Sequence, residues 1–143
     1  KFISELRKQN EADVDNLIGE FEEFFKEEIT GKKKYLRDHS KGNQKKVGVV
    51  ATFIGNPKVV GLDEPFANLD PTTKIRLKKI IREKAAQKDT TFLISSHDLI
   101  HVTEVCERIV VLDKGDIVKD IKTSEATLRE LESFFSEEQR PLN

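Results

Sequence analysis

Apolar residues recur along this chain at two different spacings. From Val14 onward they fall at Leu17, Ile18, Phe21, Phe24 and Phe25, the three-and-four spacing of one helical face. Glu20, Glu22, Glu23, Glu27 and Glu28 occupy the other side, and Asp13 stands where an N-cap would. The stripe predicts a helix packed on its own domain; a face for a partner protein is the sharper reading of the same residues. Gly31 and the run Lys32-Lys33-Lys34 then break the pattern, and the run reads as a solvated stretch.

From Ser40 onward helix and strand periods alternate. Residues 42–53 predict a helix with small and apolar residues on one side, stopped by Gly55-Asn56-Pro57. Residues 58–62 form a short apolar strand. Residues 71–88 read as an amphipathic helix with Pro71 in its first turn and Ile75, Leu77, Ile80, Ile81 and Ala85 on its apolar side. Residues 90–95 predict a second strand and 98–107 a short helix. Residues 109–112 and 117–121 flank Asp113-Lys114-Gly115-Asp116, which reads as a hairpin turn, and Ser124 is placed to cap a last helix through Phe135. This alternation implies an α/β layer with a partly parallel sheet.

Composition narrows the classes. Of 143 residues, 36% are hydrophobic and 36% charged, against roughly 45–50% and 25% in average domains, so a thin core is expected unless a partner completes it. With 25 Lys and Arg against 26 Asp and Glu, the net charge of -1 argues against a generic nucleic-acid binder. A single Cys excludes an intrachain disulfide and a Cys-cluster zinc site, and fits a reducing compartment. The longest clean apolar run, 49–54, is far below the ~20 residues that span a bilayer. No signal peptide is visible at the start, and no Met occurs, which suggests a processed chain or a piece of a longer one.

The chemistry concentrates at strand ends. Val59-Val60-Gly61-Leu62-Asp63-Glu64-Pro65 is an apolar strand ending in two carboxylates, and open α/β sheets bind ligands at the C-terminal ends of their strands. Asp63 there can hold Mg²⁺, a hard cation that prefers oxygen. Glu64 is expected to point elsewhere by strand alternation, to stay extended before Pro65, and to be able to polarise a water. Taken alone, an apolar run ending in Asp-Glu describes a solvated turn equally well. His97, in Ser95-Ser96-His97-Asp98, ends the next strand and could reach a phosphate oxygen, although a lone His is more often an ordinary surface or core residue. Ser40-Lys41-Gly42-Asn43 opens a helix, whose N-terminal N–H groups attract anions.

Together these segments resemble the ATP-binding cassette (ABC) ATPase family over roughly residues 38–120. Ser40-Lys41-Gly42-Asn43 resembles its signature motif, Leu62-Asp63-Glu64-Pro65 its Walker B strand, Asn68-Leu69-Asp70 its D-loop and His97 its switch histidine. The resemblance implies a partial P-loop NTPase (RecA-like) core with a mostly parallel sheet, preceded by an α-helical subdomain. It divides the chain into a helical subdomain over 1–57, the C-terminal half of the core over 58–123, and a helix and tail over 124–143. By the same resemblance Asp63 holds Mg²⁺ through water, Glu64 is general base for the hydrolytic water, and His97 contacts the γ-phosphate. Ser40, Gly42 and Asn43 grip the γ-phosphate of ATP bound mainly to another subunit, and Asp70 communicates across that dimer. The implied partners are a second nucleotide-binding domain, a transmembrane permease at the cytoplasmic face of a membrane, and an N-terminal half of the same domain. No nucleic acid is expected.

Two departures stand out. The common signature is Leu-Ser-Gly-Gly-Gln, whereas here His39, Lys41 and Asn43 take the Leu, first Gly and Gln positions. Lys41 there is similar to exporter-type branches, and His39 is assigned no role. Further, no stretch reads Gly-x-x-x-x-Gly-Lys-[Ser/Thr]; Lys114-Gly115 and Thr30-Gly31-Lys32 lack the glycine spacing. The expectation is therefore the second half of an ATPase domain that powers a transporter, inactive as this chain alone. The alternatives are a non-catalytic docking or regulatory half-domain, favoured by the missing loop, and a soluble ABC ATPase outside transport, disfavoured by the near-neutral charge.

Overall fold

The computed structural model describes Glu5, residues 8–25, Ile29, 35–87 and 90–138. Within these, Cα positions divide the chain into two units, Lys1–Ser95 and Ser96–Asn143. Glu27, Glu28, Gly31, Lys32 to Lys34 and Lys88 lie outside the described residues.

In the first unit, α1 (Glu11–Glu20) starts at Asn10 rather than Asp13. The Asn10 side chain accepts the Asp13 N–H at 2.8 Å, and the Asp13 carboxylate accepts the Asn10 N–H at 3.4 Å. Asp13 is thus the third helical residue of a capping box, reaching back instead of capping, and its charge near the helix start opposes the positive end of the dipole. The helix does not run through the apolar stripe. It breaks at Phe21 (φ -103°) and restarts as α2 (Glu22–Phe25). The break buries Phe21, Phe24 and Phe25, while Val14, Leu17 and Ile18 are half-buried. Phe21 packs on Phe53 with ring centroids 5.3 Å apart, and Phe53 on Phe92 at 5.9 Å. The stripe therefore packs on its own unit.

The third helix, α3 (Lys41–Thr52), buries Lys46, Val49 and Val50 and gives way to a turn with Gly55 and Asn56 at positive φ. Strand β1 (Val59–Asp63) pairs in parallel with β2 (Thr91–Ser95), in register from Val59 opposite Thr91 to Asp63 opposite Ser95. The intervening α4 (Pro71–Ala86) packs on β2 through a face led by Thr73, Leu77 and Ile81, all buried. Ile75, expected on that face, is 66% exposed. Buried positions here follow a four-residue step, and Ile75 sits two residues off it, near the opposite side of the helix. Val60 and Leu62 are buried, but Val59 and Leu93 on the other face of the strand pair are 59% and 65% exposed. That face of the sheet is exposed, and it carries Thr91, Asp63 and Ser95 beside these two apolar residues.

In the second unit, α5 (Leu99–Val105) is capped by Asp98, which accepts the His101 N–H at 3.2 Å. Strands β3 (Arg108–Asp113) and β4 (Asp116–Lys122) form the expected antiparallel hairpin, with a bulge between Val111 and Leu112. Its turn places Lys114 and Gly115 at φ 48° and 97°, the left-handed pair a two-residue hairpin favours. Arg108 grips Asp120 through Nε at 2.7 Å and Nη2 at 2.5 Å. That bidentate hydrogen bond holds the Asp120 carboxyl below its ordinary range. The last helix, α6 (Thr127–Glu138), begins three residues beyond Ser124, which does not cap it. Instead the Ser124 N–H donates to Thr127 Oγ1 at 2.8 Å, because Thr127 is buried and its hydroxyl needs a partner close by. Helix α6 packs on α5.

The described residues thus hold one parallel strand pair and one antiparallel pair, as the alternation of periods implied. Among them no helix is long and apolar enough to cross a membrane.

Candidate functional site

The parallel register brings Asp63 and Ser95 side by side at the C-terminal ends of β1 and β2, and the Ser95 hydroxyl donates to Asp63 Oδ1. Beyond them the chain turns sharply. The Glu64 N–H donates to the Ser95 carbonyl at 2.9 Å, and the Glu64 carbonyl accepts the Ala67 N–H at 3.2 Å. Glu64 itself sits at φ 46° and Asn68 at φ 60°. This corrects the expectation that Pro65 keeps Glu64 extended. The local bias of a residue before proline loses to the tight turn, which lets Pro65 and Phe66 enter the core. A non-glycine residue in this region costs about 1–3 kcal/mol, and such positions cluster at functional sites. Because Glu64 lies past the strand, side-chain alternation does not set its direction either.

Asp70 ends the turn as the N-cap of α4. It accepts the Thr73 N–H at 3.2 Å and the Thr73 hydroxyl, with Pro71 suited to the first turn. Ser40 caps α3 in the same manner, its Oγ accepting the Asn43 N–H at 3.2 Å. Gly42 lies directly against the turn after β1: a Cβ there would stand 2.9 Å from the Asn68 carbonyl oxygen. Glycine at this position is required by the chain's own fold.

Three further residues organise the site that motif spacing did not single out. Gln44 Nε2 donates to the His39 carbonyl at 2.8 Å and to that of Arg37 at 3.4 Å, clamping the 3-10 turn Leu36–Asp38 that leads to Ser40. Lys45 Nζ donates to the Asp63 carbonyl at 3.2 Å. Ser95 bonds Asp63 as described. Ser95 was within reach of sequence reasoning, since in-register parallel strands ending together oppose Asp63 to it. Gln44 and Lys45 carried no such signal, because their partners are backbone carbonyls on other segments. A cleft of about 400 Å³ between α3 and the end of β1 is lined by Lys41, Gln44, Lys45, Gly61, Leu62 and Asp63.

Ser40, Gly42, Asn43, Asp63, Glu64 and Asp70 all belong to the first unit, whereas the exposed His97 belongs to the second. Among the described residues no group of three or more His, Cys, Asp or Glu could cage a metal. A lone carboxylate beside a hydroxyl nevertheless fits Mg²⁺, which keeps several waters and is bound through one or two carboxylates plus phosphate oxygens.

No family model matches the chain. Over 89 residues it is 40% identical to an ABC transporter ATP-binding protein of Synechocystis, covering 62% of this chain and 25% of that protein. The structure of an ATP-binding subunit of an ABC transporter superposes with a TM-score of 0.81 at 22% identity, covering 97% of this chain and 60% of that one. This chain belongs to the ABC ATPase family. Its two units accordingly carry part of a P-loop NTPase core. A dimeric, post-hydrolysis ATP-binding cassette bound to ADP and Pi shares the fold at a TM-score of 0.68 and 19% identity, covering 81% of this chain and 50% of that one. The chain spans between 25% and 48% of the length of curated ABC relatives that it matches.

Proposed function

We propose that this chain supplies the hydrolytic and dimer-facing elements of an ABC transporter's ATP-binding subunit, in which ATP hydrolysis drives transport through a membrane permease at the cytoplasmic face. One observation carries the reading: the capped start of α3, the acidic end of β1 and the turn into α4 meet, joined where Asn68 rests on Gly42 and Lys45 bonds Asp63. In this reading Asp63, supported by Ser95, holds Mg²⁺ through water. The ion, when bound, neutralises phosphate charge. Glu64 takes the proton of the attacking water, and His97 contacts the γ-phosphate. Ser40, Gly42 and Asn43 offer the α3 N-terminus to the γ-phosphate of a nucleotide held mainly by a second such subunit, in a homo- or heterodimer. Asp70 fixes the start of α4 and communicates across that dimer. Work of this kind is positioning and electrostatics with little covalent chemistry.

The phosphate loop must then come from another segment. The exposed Val59 and Leu93 support a cover over that end of the strand pair, the natural place for a loop-bearing half of the same domain. The nucleotide and dimer named for the structural neighbour support ATP and a second subunit as partners.

The test is Mg-ATP titration of this chain alone and joined to a phosphate-loop half. The chain alone should show no micromolar binding, and the joined protein should hydrolyse ATP. Glu64→Gln in the joined protein should lower turnover by about 10²–10⁴-fold, the usual contribution of a general base. Unchanged turnover would remove Glu64 from its role and favour a non-catalytic docking module.

A further inference from the structure

One peptide unit connects the two acidic residues, and it is held at both ends. Its N–H, on Glu64, donates to the Ser95 carbonyl of β2 at 2.9 Å. Its C=O, on Asp63, accepts from Lys45 Nζ of α3 at 3.2 Å. The plane of this peptide sets the axis about which Glu64 turns into its left-handed conformation, φ 46°. It also sets the direction from which the Asp63 side chain leaves the strand. A close approach lies one helical turn back, where a Cβ on Gly42 would stand 2.9 Å from the Asn68 carbonyl oxygen. The segment bearing both carboxylates is therefore hydrogen-bonded to α3 at its start and packed against it at its end.

We propose that Lys45 is a positioning residue for the Asp63-Glu64 pair: its ammonium fixes the intervening peptide and so makes the first turns of α3 and the acidic turn move as one body. The functional meaning rests on the ATPase reading above. Under that reading, engagement of the α3 N-terminus by a partner's nucleotide is passed to the general base through Lys45, with no contact of Lys45 with the reacting atoms. Met at this position keeps the aliphatic stem and loses the donor. Arg keeps a donor on a long stem.

The experiment is amide hydrogen exchange on the chain as it stands, comparing wild type with Lys45→Met and Lys45→Arg. At 3.2 Å and exposed to solvent, this bond falls below the range of a shielded charged donor, at about 1 kcal/mol net, so Lys45→Met should speed exchange at Glu64 and Ala67 about fivefold, with Lys45→Arg near wild type. Leu77 and Ile81 amides in α4 and those of β3 serve as internal controls and should not move. No change at Glu64, or equal acceleration in α4, would overturn the proposal. In the protein joined to a phosphate-loop half, Lys45→Met should lower kcat severalfold with KM for ATP unchanged, and should add nothing on top of Glu64→Gln. A shift confined to KM would overturn the positioning role. If the exchange result holds while the joined wild-type protein does not hydrolyse ATP, the ATPase reading fails and the mechanical tie stands.

Discussion

Gly42 and Asn68 are in direct steric contact: a single added carbon on Gly42 would lie 2.9 Å from the Asn68 carbonyl oxygen, closer than any relaxed contact allows. The opposing surface is backbone, in a turn already held at positive φ, so it yields little. The helix motif and the turn after the acidic strand can approach this closely only with glycine between them.

Gly42→Ala should therefore destabilise the chain by about 1–3 kcal/mol, the usual cost of overpacking, despite the roughly 1 kcal/mol that alanine gains over glycine inside a helix. Gly48→Ala, in the same helix with nothing within 4 Å of its added carbon, should show that gain alone. Urea melts of the two variants check the pair. Equal stabilisation of both would mean the Asn68 contact is not rigid.

The conformation of Glu64 gives a second test. At φ 46° a side chain costs roughly 1–2 kcal/mol that glycine avoids. Glu64→Gly should be more stable than Glu64→Ala by about that amount, a comparison that removes the carboxylate from both. In the protein joined to a phosphate-loop half, both should be inactive. A more stable Ala variant would show that the turn is relaxed in solution.

Phe53 bridges the first two helices and the sheet, with Phe21 on one side and Phe92 on the other. Phe53→Ala should cost about 3–5 kcal/mol, as for other buried aromatic truncations. Loss should be seen by thermal melting, and the rings of Phe21 and Phe92 should report altered surroundings by NMR. A cost below about 1 kcal/mol, the size of a surface change, would show that the aromatic cluster does not hold the helices.

Asp120 predicts a pH dependence. Its folded carboxyl lies below its ordinary value because of the hydrogen bond from Arg108, so the pair stabilises the chain above that value and the contribution fades as pH falls through the lowered one. Both groups are solvent-exposed, so the effect should be small and should shrink in high salt. Melting of wild type and Asp120→Asn should differ at neutral pH and converge in acid. A difference that grows toward acid would reverse the sign and refute the assignment.

Much of the fold was legible because it is local. The switch from a helical period to short apolar strands places β1, α4, β2 and the hairpin within a residue or two of where they lie. The turn at Lys114-Gly115 follows from backbone preference alone. The misplaced features share a cause. Asn10, not Asp13, caps α1; Thr127, not Ser124, supplies the hydroxyl at α6; Ile75 faces solvent. In each, several residues nearby satisfy the same local rule, and packing selects among them.

The sequence by itself determined the α/β class, the strand ends where acidic residues fall, and the motif order that resembles an ABC ATPase. These follow from periodicity and spacing, which act over a few residues. Only the tertiary structure decided that Glu64 leaves the strand in a left-handed turn, that Gly42 answers to the Asn68 carbonyl, and that Lys45 and Ser95 hold the two ends of the Asp63-Glu64 peptide. Those contacts join α3, β1 and β2 across the first unit. A backbone carbonyl has no residue identity, so no side-chain pattern announces which distant donor it will meet.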